Sequence, residues 1–177
     1  MDEILDGFKE ESKALIDEML ELLEEIEGNP GLYQRLEEYG IRVDRIMGTA
    51  KSLASSGIAA EQTSQIGAYC EICKIVGYKG SQVGVQTVFD LVVAFLLDAT
   101  ELLKEMTDEI ADSSGTAWRK FTNETFLDRL RWLDKQLGDR LRATVGSSKS
   151  DAKAKGGESL QREVDEVLKQ LGIQTKG

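Results

Sequence analysis

Apolar residues recur three and four positions apart over most of the chain, the spacing that gathers them on one face of an α-helix. From Asp2 to Glu27 the stripe runs Leu5, Phe8, Ser12, Leu15, Met19, Leu22 and Ile26, a heptad rhythm suited to antiparallel packing, with a densely acidic outer face. Gly28-Asn29-Pro30 ends it. Asn29 can cap a helix and Pro30 fits a first helical position, so a second helix is predicted from there. Its inward positions are Leu36, Tyr39, Val43, Ile46, Ala50 and Leu53, and it breaks at Ser55-Ser56-Gly57. A third helix spans about Ala60 to Tyr78, with Ile66, Tyr69, Cys73 and Val76 inward. A fourth follows Gly80-Ser81 and runs to about Ala111. Its segment Val88–Leu97 is apolar almost all round, which marks it as the most buried helix. After a loop at Asp112–Gly115, a fifth helix from about Asn123 to Val145 turns Phe126, Leu130, Leu133, Leu137 and Leu141 inward.

The pattern stops at Gly146. Residues 146–157 contain no large apolar side chain, so they cannot offset the entropy of ordering and read as a flexible linker. A short amphipathic helix, Ser159 to Leu171, follows, with Leu160, Val164, Val167, Leu168 and Leu171 on its apolar face. A helix this short is marginal alone in water and reads as a segment that folds on a partner. The predicted organisation is an all-α, antiparallel up-and-down bundle over 1–145, four core helices plus a fifth, then the linker at 146–157 and a C-terminal partner-binding helix at 158–177.

Composition narrows the function. The formal net charge of −10 disfavours nucleic-acid phosphates. The longest apolar run, Leu91–Leu97, is far below the roughly 20 residues of a membrane span. The opening Met1-Asp2-Glu3 lacks the basic-then-apolar order of a signal peptide, so a cytoplasmic location is expected. The chain has no histidine, which removes imidazole acid–base and metal chemistry. Cys70 and Cys73 form a CxxC without further soft ligands; placed mid-helix, with Cys73 on the inward stripe, the pair is expected to pack in the core, and no metal site is expected.

One helical segment departs from stability-driven composition. In the second helix Gly40 and Gly48 stand four residues either side of Asp44, on the same face. Each glycine costs about 1 kcal/mol against alanine inside a helix. Such a pair suits either crowding by a neighbouring helix or a partner that must approach the backbone. The segment Asp44-Arg45-Ile46-Met47-Gly48-Thr49-Ala50 resembles the signature of the histidine phosphotransfer (Hpt) domain family: a histidine, any residue, an aliphatic residue, lysine, glycine, a small residue and often alanine. Phe8-Lys9-Glu10-Glu11-Ser12 and Leu15 also look like the family's first helix, and the resemblance covers roughly residues 4–110, with a fifth helix as in chemotaxis-kinase phosphotransfer domains. Here Asp44 stands at the histidine and Met47 at the lysine, so the resemblance implies the family's fold and receiver-docking surface without phosphotransfer through histidine. Because receiver active sites are acidic in families of this kind, it also implies a basic ring, for which Arg42, Arg45 and Lys51 are near in sequence, with Lys74 and Lys79 approaching from the third helix. The docking set is Gly40, Asp44, Arg45, Met47, Gly48 and Lys51.

The C-terminal Gln161-Arg162-Glu163-Val164-Asp165-Glu166-Val167-Leu168, followed by Leu171-Gly172, resembles the short peptide by which CheZ-type chemotaxis phosphatases and flagellar-switch proteins capture the response regulator CheY. Ile173 replaces the phosphatase peptide's final aromatic. This implies a tail peptide of Leu160, Val164, Asp165, Val167, Leu168 and Leu171, the alternative being a tail helix docked on its own bundle. Three functions follow. The first is a chemotaxis-type signalling protein that binds a CheY-like receiver. The second is a CheZ-like phosphatase of the receiver's aspartyl phosphate, for which Glu61 and Gln65, one helical turn apart, are the candidate catalytic pair. The third is a structural bundle that forms a homodimer through its acidic helices. No cofactor is expected, and Mg²⁺ enters only through a phosphorylated receiver.

Overall fold

The computed structural model describes residues 2–111, 116–137 and 160–170, and among these every regular element is helical. The elements are α1 (Asp2–Ile26), a 3₁₀ segment (Pro30–Arg35), α2 (Leu36–Ser55), α3 (Ala60–Gly80), α4 (Gln86–Asp108), a 3₁₀ turn (Glu109–Ala111), α5 (Thr116–Phe121), α6 (Glu124–Leu137) and α7 (Leu160–Gln170). The predicted linker, together with Leu141 and Leu171, lies outside the described residues.

Side-chain pairs fix the topology. Arg35, Arg42 and Arg45 on the second helical run meet Glu25, Glu18 and Glu11 in turn, so α1 and α2 run antiparallel. Asp44 meets Lys74 and Lys51 meets Glu71, which sets α3 antiparallel to α2. Lys9 reaches the Asp108 carbonyl and Lys104 faces Asp17, closing α4 against α1. α3 also packs on α4, so four antiparallel helices close a ring around one core. The all-α bundle read from periodicity is the fold.

The inward stripes are buried as spaced: Phe8, Ser12, Leu15, Met19, Leu22 and Ile26 on α1, and Leu36, Tyr39, Val43, Ile46, Ala50 and Leu53 on α2. The boundaries differ in three places. The second helix opens as 3₁₀ at Pro30, and Asn29 makes no side-chain cap; the α-helix starts only at Leu36. This tighter turn is a common helix entrance, and here it packs against α1, α2 and α4. The third helix runs to Gly80, so Gly80 ends it, and the fourth starts at Gln86. A further short helix, α5, precedes the predicted fifth, which begins as α6 at Glu124: Glu109 Oε2 accepts from Ala117 N–H at the start of α5, and Asn123 Oδ1 accepts from Thr125 N–H to cap α6.

The most enclosed helix is α3 rather than α4. Every residue from Ile75 to Gly80 is buried, Lys79 included. Three small positions allow this. A Cβ on Gly77 would lie 2.9 Å from the Tyr39 ring and 3.6 Å from the Gly40 backbone nitrogen, and a Cβ on Gly80 would lie 2.7 Å from Val92. On Gly40 it would lie 2.8 Å from Tyr78. Tyr39 and Tyr78 therefore cover reciprocal glycines, and the α2 and α3 backbones approach closely. α6 and α7 then cover the outside: α6 packs on α4 and α7, and α7 on α3.

Candidate functional site

The surface around Asp44 is built by the α2–α3 hairpin. Val43 and Ile46 point into the core, which leaves Asp44 at its edge with 47% of its side chain exposed. Lys74, itself only 14% exposed, places Nζ 3.0 Å from Asp44 Oδ1. One turn on, Gly48 is exposed and a Cβ there would meet nothing within 4 Å, so its backbone flank is open to solvent. Met47 is half-buried and packs on the core. Gly48 thus leaves its side of the helix bare, whereas Gly40 is buried beneath Tyr78 and serves helix packing.

Of the cations expected to ring Asp44, Lys74 reaches it, and the enclosed end of α3 removes Lys79 from the surface. The three on α2 are each matched by another acid. Arg42 Nε bonds Glu18 at 2.8 Å, Arg45 reaches Glu11 at 2.6 Å, and Lys51 Nζ reaches Glu71 at 2.7 Å. The Lys51 stem also fills the space a Gly67 side chain would take. These partners sit on α1 and α3, so sequence proximity along α2 could not reveal them. Exposed pairs of this type contribute roughly 0–1 kcal/mol and exchange partners readily. Chemically the surface offers recognition: exchangeable charges, an open backbone at Gly48 and the Met47 thioether.

Glu61 is exposed and Gln65 half-buried in the opening turns of α3. At 1.5 Å rise per residue they stand roughly 13–20 Å along the helix from Lys74, so they form no common site with Asp44. Cys70 and Cys73 are fully buried in α3. Burial holds the Cys73 thiol up to about 12 and raises Cys70 as well. Beside them Tyr39 O–H donates to Thr100 Oγ1 at 2.9 Å, Thr100 donates on to the Leu96 carbonyl at 2.6 Å, and Tyr69 O–H donates to the Ala99 carbonyl at 2.7 Å. This is a satisfied polar seam inside the core.

The tail residues divide. Val167 and Leu168 are 4% and 1% exposed and belong to the core cluster, while Asp165 is half-buried. Leu160 and Val164 lie on α7 but their side chains, like all of Leu171, fall outside the described residues.

One feature had no place in the reading of the sequence. Leu91, Ala94 and Phe95 of α4 and Asp128, Arg129, Trp132 and Leu133 of α6 line an apolar groove of about 340 Å³. Trp132 is 43% exposed there, and Arg129 bonds Asp98 at 2.6 Å while lying over the Phe95 ring. The adjacent Trp132-Leu133, wider than a single heptad seam requires, was the available signal.

No helix among the described residues is long and apolar enough to cross a membrane. No known protein-family model, curated protein or solved structure matches the chain.

Proposed function

We propose that the protein is a cytoplasmic, chemotaxis-type signalling protein that binds a CheY-like response-regulator receiver without histidine phosphotransfer. The observation that carries this reading is the open flank of Gly48 beside half-exposed Asp44. A helix interior gains stability from alanine at such a position, so an open glycine there favours close approach by a second molecule. The acidic receiver site would draw Arg45 and Lys51 from their exposed pairs with Glu11 and Glu71, an exchange of one carboxylate for another at small cost. The tail carrying Val167 and Leu168 would add a second contact, tethered at a local concentration of about millimolar. Mg²⁺ would belong to the receiver.

The test is titration of the intact chain with candidate receivers, unphosphorylated and activated with beryllofluoride, together with a phosphate-release assay on phosphorylated receivers. Binding that weakens at least tenfold in Arg45→Glu/Lys51→Glu is expected. Absence of binding to every receiver from the same cell overturns the reading. Faster phosphate release that depends on Glu61 and Gln65 would instead establish the phosphatase.

A further inference from the structure

The face of α7 that the tail reading assigns to a receiver is already occupied. Val167 and Leu168 lie inside the core cluster, with α7 seated against α3 and α6. Arg162, Glu166 and Lys169 are left exposed on the outside. One amphipathic face cannot pack on two surfaces at once. We propose that α7 is a latch, and that the bundle itself is the competitor a receiver must displace before the tail can capture it. This rests on the reading of the tail as a receiver-binding peptide and adds the regulation of that contact.

Three features fit such an exchange. The α7 helix has 11 residues and is marginal in isolation, so a surface is needed for it to fold, whether that surface is the bundle or a receiver. It is anchored through Val167 and Leu168 at the outside of the bundle, where a helix can open locally without unfolding the four-helix ring. The intervening sequence at 146–157 contains no large apolar residue that would itself anchor α7 to the bundle. The apparent affinity of the tail then scales with the fraction of molecules in which α7 is undocked. A chain docked nine-tenths of the time binds through its tail about tenfold more weakly than the free peptide.

The experiment compares the intact chain with a synthetic peptide spanning 158–177, both mixed by stopped flow with a beryllofluoride-activated CheY-type receiver and both followed through a label on the receiver. With the peptide the observed rate should rise linearly with receiver concentration. With the intact chain, carrying Arg45→Glu/Lys51→Glu so that the tail is the receiver contact being followed, it should level off at the undocking rate. Hydrogen exchange of the receiver-free chain should show α7 amides protected above those of the peptide. Linear kinetics with the intact chain, or α7 amides exchanging as fast as in the peptide, overturns the latch and leaves the receiver reading standing. A peptide that binds no activated receiver, while α7 stays protected, overturns the tail's role as a ligand and the latch with it, marking α7 as a purely structural part of the bundle.

Discussion

Lys74 reaches across the α2–α3 hairpin to Asp44, Nζ to Oδ1 3.0 Å, and ties down a carboxylate at the edge of the core. The lysine is mostly covered and the aspartate half-exposed, so the pair lies between a solvated ion pair and a buried one. Asp44→Asn keeps the shape and removes the charge. It should cost about 1 kcal/mol or less, seen as a lower urea midpoint at unchanged slope. Receiver binding should change more than stability does, because Lys74 becomes available to a new carboxylate. A loss above about 3 kcal/mol would mean the pair is a buried structural bridge, not part of a docking face.

The two glycines flanking Asp44 should respond in opposite directions. Gly40→Ala places a Cβ 2.8–3.0 Å from three atoms of the Tyr78 ring, in the closest part of the α2–α3 contact. It should destabilise by roughly 1–3 kcal/mol, the range for overpacking a filled interior. Gly48→Ala meets open space and should stabilise by up to about 1 kcal/mol through helix propensity alone. If Gly48 is open to admit a receiver, the same alanine should weaken receiver binding while raising the melting temperature. Gain of stability with unchanged binding would show that nothing approaches there.

The contrast between these glycines shows what the sequence could and could not reveal. Helix existence and inward faces were readable, because the three-four spacing on α1, α2 and α6 is a local property that burial then follows. The 3₁₀ entrance at Pro30 and the extension of α3 to Gly80 were not, since tertiary packing decides them. Gly40 and Gly48 look alike along the chain, and only the arrival of Tyr78 from α3 separates them. In the same way Lys74 and Lys79 are both candidate cations by spacing, yet one faces Asp44 and the other is enclosed. The acids Glu11, Glu18 and Glu71, which balance the cations of α2, come from other helices. The amphipathic pattern of the tail was visible, but not which surface it would cover.

The polar seam in the core predicts a graded response. Thr100 Oγ1 spends its proton on the Leu96 carbonyl, so Tyr39 O–H must be the donor in the 2.9 Å contact between them. Tyr39→Phe leaves the ring over Gly77 and removes the hydroxyl, which also contacts Cys73. The orphaned oxygen of Thr100 should cost roughly 1–2 kcal/mol in urea unfolding. Tyr39→Phe with Thr100→Val should recover part of it, because both polar partners are then gone. Equal losses in the single and double variants would mean the ring's fit, not the hydrogen bond, was disturbed.

The same burial sets the response to alkali. Cys70, Cys73, Tyr39 and Tyr69 all have their ionisation pushed up, in each case first by desolvation, with the Cys73 thiol held up to about 12. In the unfolded chain the cysteines lose protons near pH 9 and the tyrosines near 10. Above those values the unfolded state binds fewer protons than the folded one, so stability falls as pH rises. The contribution is fully present at neutral pH and is lost between about pH 9 and 12 for Cys73. Urea midpoints measured from pH 8 to 11 should therefore decline from about pH 9, by at most about 1.4 kcal/mol per pH unit for each titrating group. Cys70→Ala/Cys73→Ala should flatten the first part of that decline and leave the tyrosine part. A thiol reagent at pH 8 should leave both cysteines untouched in the folded protein and label both in urea. Rapid labelling of the native chain would show that α3 opens at the seam.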